Sequence, residues 1–181
     1  MDTYEIFRSK TLQPFKEWHH KLWQQFSNTL DTDIIYIFEC VYLQNHINEL
    51  MLKYNLPLPE HIAYFKALLE PLVSHDPILF FVEQKDVKKA IDHVSEERKS
   101  PDKAKFQDWI DRVIEYIRDM PYGKTLGYTD YEGIIQYFKD RQLLSKEIIK
   151  TLPITTYVYQ LDGSYDEVFN QIKKTTLNTL K

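Results

Sequence analysis

Two short apolar runs set the fold class of this chain. Ile34-Ile35-Tyr36-Ile37-Phe38 is followed by Glu39 and a helix-like stretch from 40 to 54. Pro77-Ile78-Leu79-Phe80-Phe81-Val82 is followed by Glu83-Gln84 and a second helix-like stretch from 86 to 97. A nearly unbroken apolar segment, then a carboxylate, then a 3.6-residue period is the pattern of a parallel strand buried on both faces that delivers a polar side chain to the end of a sheet. Ligands of open α/β sheets bind in the crevice beyond those strand ends. The glycine-rich loop that cradles phosphate, GxxxxGK[ST], occurs nowhere in the sequence. Its four glycines are Gly123, Gly127, Gly133 and Gly163.

The remaining periodicities are mostly helical. Phe15, Trp18, Leu22, Trp23 and Phe26 form an apolar stripe in a predicted helix over 4–29, interrupted or kinked at Pro14. Further helices are predicted over 60–74, 104–119 and about 130–150, the last opened by the capping box Thr129-Asp130-Tyr131-Glu132. A third strand is predicted over 154–160, rich in Thr, Tyr and Val, before Gly163 turns the chain into a last capped helix at Ser164. Strands alternating with helices predict an α/β protein with a parallel sheet, in a single domain over 1–181.

Charge and composition narrow the function classes. With 23 Lys and Arg against 27 Asp and Glu, the net charge of -4 argues against binding driven by phosphate neutralisation of nucleic acid. Apolar runs of five or six residues predict no membrane span. A single cysteine, Cys40, excludes an internal disulfide and points to the reducing cytoplasm. None of the six histidines has the spacing of a zinc site, and no serine sits in a nucleophile elbow.

Three places could carry chemistry. Glu39 ends a strand-like run, where an acid could face magnesium or an attacking hydroxyl; it could equally cap the next helix through the helix dipole. Arg98 closes the helix after the second apolar run, where its planar fork could clamp a phosphoryl group; a solvated cation at a helix C-terminus is the plainer reading. Tyr122-Gly123-Lys124 with Gly127-Tyr128 could hold a base and phosphate through Lys124, or could simply join two helices.

Taken together, Ile37-Phe38-Glu39-Cys40 with Leu43-Gln44-Asn45, Pro77-Ile78-Leu79 through Gln84-Lys85-Asp86-Val87, Glu97-Arg98, Tyr122-Gly123-Lys124, Gly127-Tyr128, Glu132-Gly133 and Arg141 resemble a family of bacterial P-loop proteins related to nucleoside and nucleotide kinases. The resemblance covers roughly residues 33 to 160. It implies a helix-rich, three-layer α/β fold around a five-stranded parallel sheet, and phosphoryl transfer from ATP with magnesium. Glu39 would match the acid at the end of the third strand, Arg98 the start of the mobile lid, and Asp162-Gly163-Ser164 a turn on the adenine side. Two departures stand against it. The first strand and its Gly-rich loop are missing, so the fold would be a truncated one with about three strands. Lys99 replaces the proline usual after the lid Glu-Arg, and Ser100 to Lys105 read as inserted.

The family's missing strand would lie between the runs at 34–38 and 78–82, so those two are predicted to pair directly and in parallel. The expected function is that of a kinase-like remnant, inactive alone and needing no cofactor of its own. The alternative is a helical binding or regulatory protein working through exposed apolar surface. Either reading leaves apolar surface to cover, by a homodimer or by a separate N-terminal half.

Overall fold

The computed structural model describes residues 11–102, 105–162 and 164–179. These cluster into two compact units: one holds the residues up to Pro77 together with Leu144–Ile154, the other Ile78–Leu143 together with the residues from Thr155 onward. The protein is α/β and 60% helical.

The first unit is helical. Helix α1 spans Leu12–Ser27 and buries Phe15, His19 and Trp23, one residue per turn along a single stripe. Pro14 lies in its first turn, where the absent N–H would have had no partner, and the extended Thr11 before it makes this a helix start, not a kink. The predicted stretch before residue 11 lies outside the described residues. Helix α2, Gln44–Leu52, begins four residues later than expected because Cys40 adopts a left-handed conformation, φ 63°. Helix α3, Leu58–Leu69, opens at the N-cap Pro57 and passes at Pro71 into a 3-10 turn, Glu70–His75. The missing N–H of Pro71 breaks the α ladder there. Helix α1 packs on α3 and on this turn, and Phe15, Ile47, Leu50, Leu52, Phe65 and Leu68 are sealed from solvent.

The second unit holds the sheet. Strands β1, Ile78–Gln84, and β2, Thr155–Leu161, pair in parallel, with Ile78 opposite Thr155 and Gln84 opposite Leu161. Phe80 stacks on Tyr157 at 5.6 Å between ring centroids. The helices are α4 (Val87–Glu97), α5 (Trp109–Asp119), α6 (Tyr131–Ile149, its last residues grouping with the first unit) and α7 (Tyr165–Thr179), which rests on β2. Val87 and Ile91 of α4 and Ile135 of α6 form an apolar core with Trp109, Ile110 and Phe138. The Asp130 carboxylate caps α6 by accepting from the Gly133 N–H at 2.9 Å.

Two expectations are corrected. The run 34–38 is not a strand: it forms neither ladder nor helix, and all five residues are exposed. The partner of β1 is β2, so the predicted pairing of 34–38 with 78–82 is not formed. Among the described residues there are two strands, not three, and no three-layer sheet. A β-forming composition describes a side-chain surface suited to a pleat, but a strand exists only where a neighbour accepts its backbone hydrogen bonds.

Candidate functional site

The carboxyl ends of β1 and β2 bring polar side chains together. Glu83 and Gln160 are register partners, and Gln160 Nε2 donates to Glu83 Oε1 at 3.0 Å, with Glu83 only 6% exposed. Gln142 of α6 clamps the next residue: its Oε1 accepts from the Gln84 N–H at 2.8 Å and its Nε2 donates to the Gln84 carbonyl at 3.1 Å. The chain then leaves β1 at Lys85, whose N–H donates to the Leu161 carbonyl and whose Nζ meets Asp162 Oδ2 at 2.5 Å. Asp86 caps α4, its carboxylate accepting from the Lys89 N–H at 3.0 Å. Gln84, Asp86, Lys89, His93, Asp162 and Tyr165 line a shallow cleft of about 120 Å³ at this end.

Much of the charge in the cleft is already engaged. A helix N-terminus is a ready seat for an anion, but α4 already holds the Asp86 carboxylate in it. Lys85 is engaged by Asp162, and His93 Nε2 lies 3.3 Å from Glu97 Oε1. Acids thus meet Lys85 and the α4 N-terminus, and Lys89 remains as a cation lining the cleft.

The other sequence-predicted residues lie elsewhere. Arg98 is the C-cap of α4, exposed, with its guanidinium 5.5 Å from the centre of the Trp109 ring. Eleven residues of α4 hold it about 16 Å from the Asp86 end at 1.5 Å per residue. Lys124 is exposed in the connection between α5 and α6. Gly123-Lys124-Thr125 spells the second half of a phosphate-binding loop, but the position five residues before Gly123 is Arg118, inside α5. Gly123 is there for packing: a Cβ on it would overlap the Ile117 carbonyl oxygen, and its own carbonyl accepts from the Tyr128 N–H at 2.9 Å. Gly163 lies outside the described residues. Glu39 belongs to the first unit, exposed beside the Cys40 thiol, which lies 3.7 Å from its carboxylate.

Sequence reasoning missed a buried cluster of rings in the first unit. His46 Nδ1 accepts from the Tyr64 hydroxyl at 2.6 Å, and the His19 ring lies 4.5 Å from it, edge-on. His19 Nδ1 donates to the Phe15 carbonyl at 2.9 Å, and the Tyr42 hydroxyl donates to the Phe65 carbonyl at 2.7 Å. Burial pushes His46 down to about 3, with neighbouring His19 adding to the effect and the Val41 carbonyl opposing it. Burial also lowers His19, against the bond to Phe15. His61 is 1% exposed and is pushed down to about 4 by burial, with the Leu56 carbonyl pulling the other way without a regular hydrogen bond. The Tyr42 and Tyr64 hydroxyls are raised by burial. A general acid or base works with a pKa near the operating pH, and each of these groups is held away from it. The cluster is core. The signal in the sequence was spacing: His19 falls four residues from both Phe15 and Trp23, and His61 four residues before Phe65.

On α4, away from the sheet end, Asp92 accepts from the Tyr131 hydroxyl and pairs with Lys88 at 3.0 Å. The bond from Tyr131 and then that from Lys88 hold its carboxyl below the usual carboxylate range. These contacts pin the start of α6 to α4. Among the described residues no group of three or more His, Cys, Asp and Glu side chains could hold a metal ion, and no helix is long and apolar enough to cross a membrane.

Comparison with protein-family models, curated proteins and solved structures found no match to this chain. The P-loop resemblance therefore rests on the residues that carry it.

Proposed function

We propose that this chain is a relative of the P-loop nucleoside and nucleotide kinases that does not transfer phosphate on its own. The parallel pairing of β1 with β2, each strand ending in polar residues at one end of the sheet, is the observation that supports the relationship. The acids already seated at that end support the lack of activity. Asp86 occupies the α4 N-terminus and Asp162 holds Lys85, while the backbone amides that a Gly-rich loop would converge on phosphate are missing. ATP and magnesium belong to the parent activity, and Glu39 and Arg98 carry roles in it only through the resemblance. The exposed thiol of Cys40 suits the cytosol.

The test is a thermal melt with magnesium and low-millimolar ATP. A ligand stabilises by RT ln(1 + [L]/Kd), so a Kd above the concentration used leaves the melting temperature nearly unchanged, and that is the expected result. A rise of several degrees, abolished by Glu39→Ala, overturns this reading and restores a phosphotransferase.

A second reading has its own observation. Ile34, Ile35, Tyr36, Ile37, Phe38 and Val41 are large apolar residues all exposed within one short stretch of chain, and exposed apolar surface of this kind marks interaction sites. On this reading the chain is a binding protein, and that stretch is where it binds.

A further inference from the structure

The exposed run between Asp33 and Cys40 has the alternation of a strand without the sheet. Tyr36 and Phe38 lean against α1 while staying 39% and 49% exposed: Phe26 meets them edge-on at 5.5 and 5.1 Å, and Trp23 lies 6.1 Å from Phe38. Ile35 and Ile37 turn outward, 64% and 90% exposed. Residues two apart sharing a face is the period of a strand. One face therefore already rests in part on a helix. Among the described residues, neither the N–H nor the carbonyl groups of 35–38 enter any protein hydrogen bond. A row of unused donors and acceptors carrying β-branched and aromatic side chains is a template for another strand.

Charge selects the occupant. From Leu22 to Leu52 the chain contains Asp31, Asp33, Glu39 and Glu49 and no Lys or Arg. A second copy pairing antiparallel about Tyr36 would set Asp33 opposite Glu39 at both ends, and like charges directly opposite destabilise a pair of strands. A strand with basic residues at its ends meets these acids with the favourable sign.

We propose that residues 34–38 form an acceptor strand, completed by β-addition of a segment from another polypeptide that alternates apolar residues and carries Lys or Arg at both ends. This rests on the binding reading above and names its partner. Main-chain bonds to 35–38 supply the affinity, side chains against Ile35 and Ile37 the fit, and Asp33 and Glu39 the charge preference.

The probe is a synthetic peptide alternating Val and Thr between paired lysines, with an otherwise identical peptide ending in paired aspartates. The lysine peptide is expected to bind and to slow amide exchange within 35–38. The aspartate peptide is expected to bind about ten-fold more weakly. Ile37→Asp, at a solvent-facing position, is expected to keep the wild-type circular dichroism spectrum and to abolish binding. Unchanged exchange within 35–38 at saturating lysine peptide overturns the proposal, as does equal binding of the two peptides. A homodimer in sedimentation that Ile37→Asp dissociates would make a second copy the occupant and also overturns it. An apolar fluorescent dye separates this failure from that of the binding reading. Dye bound by the wild type and lost in Ile37→Asp, without peptide binding, leaves a binding surface that is not a strand acceptor, whereas binding of neither sinks both.

Discussion

The two units of this protein handle polar side chains in opposite ways. In the first, His19, His46 and His61 and the hydroxyls of Tyr42 and Tyr64 are taken into an aromatic core and kept neutral. In the second, apart from the buried Glu83, charges mostly stay at the surface and pair there, as in Lys85 with Asp162 and Lys88 with Asp92. Buried ionisable groups carry a desolvation cost that changes with pH, whereas exposed pairs are screened and contribute little. The difference teaches where the stability of each unit is exposed to solution conditions: pH for the first, salt only weakly for the second.

The largest expected effect tests the first half of that contrast. At pH 7 the three buried histidines are neutral in both folded and unfolded chains and give no pH dependence. Below the unfolded value of about 6.5 the unfolded chain takes up protons that the folded chain refuses until near 3 for His46 and near 4 for His61. Stability thus falls as pH falls, by about 1.4 kcal/mol per pH unit for each histidine. Going from pH 7 to 5 removes about 2 kcal/mol for each of His46 and His61, so about 4 kcal/mol together, with His19 adding in the same direction. Urea titrations across this range, with amide exchange to locate the loss in α1–α3, check it. His61→Leu is expected to flatten the slope by one histidine's share. A flat profile from pH 7 to 5 would mean that these side chains reach water.

A smaller effect is expected in the second unit. Gln142→Ala removes both bonds to the backbone of Gln84 and leaves that N–H and carbonyl partly buried without their clamp. The expected loss is about 1–2 kcal/mol by urea titration, and it is the same at pH 7 and pH 5 because no proton is involved. A loss that grew with acid would couple the sheet end to a titrating group and erase the contrast between the units.

The sequence exposed those parts of the fold that depend on local signals. Strands β1 and β2 lie where a β-branched and aromatic run said they would, and α4 and α6 begin at Asp86 and Asp130, whose short carboxylates compete for free N–H groups. Ile34 to Phe38 carried the same local signal and is no strand, because pairing depends on a neighbour that local sequence does not encode. At the site, Asp162 was legible as a turn residue after a strand. Its partner Lys85 is 77 residues away, and the Gln142 clamp is 58 residues from Gln84. No spacing rule reaches across such separations. Arg98 was placed correctly at the end of its helix, and the length of that helix is what keeps it from the sheet end.

The smallest effect concerns the ion pair at the mouth of the cleft. Lys85 and Asp162 leave 58% and 60% of their side chains exposed, so water and salt screen them despite the short 2.5 Å approach. Exposed pairs of this kind are worth about 0–1 kcal/mol, and Lys85→Gln, which removes the charge and keeps a polar side chain, is expected to cost no more than about 0.5 kcal/mol. In about 1 M salt, where the screening length is about 3 Å, even that difference disappears. The backbone bond from Lys85 to the Leu161 carbonyl survives the substitution, so the strand end stays in register. A cost of several kcal/mol that persisted in high salt would mean that the pair is shielded from solvent. The sheet end would then resemble the buried polar core of the first unit, and the surface of the second unit could no longer be treated as the place where its charges are spent cheaply.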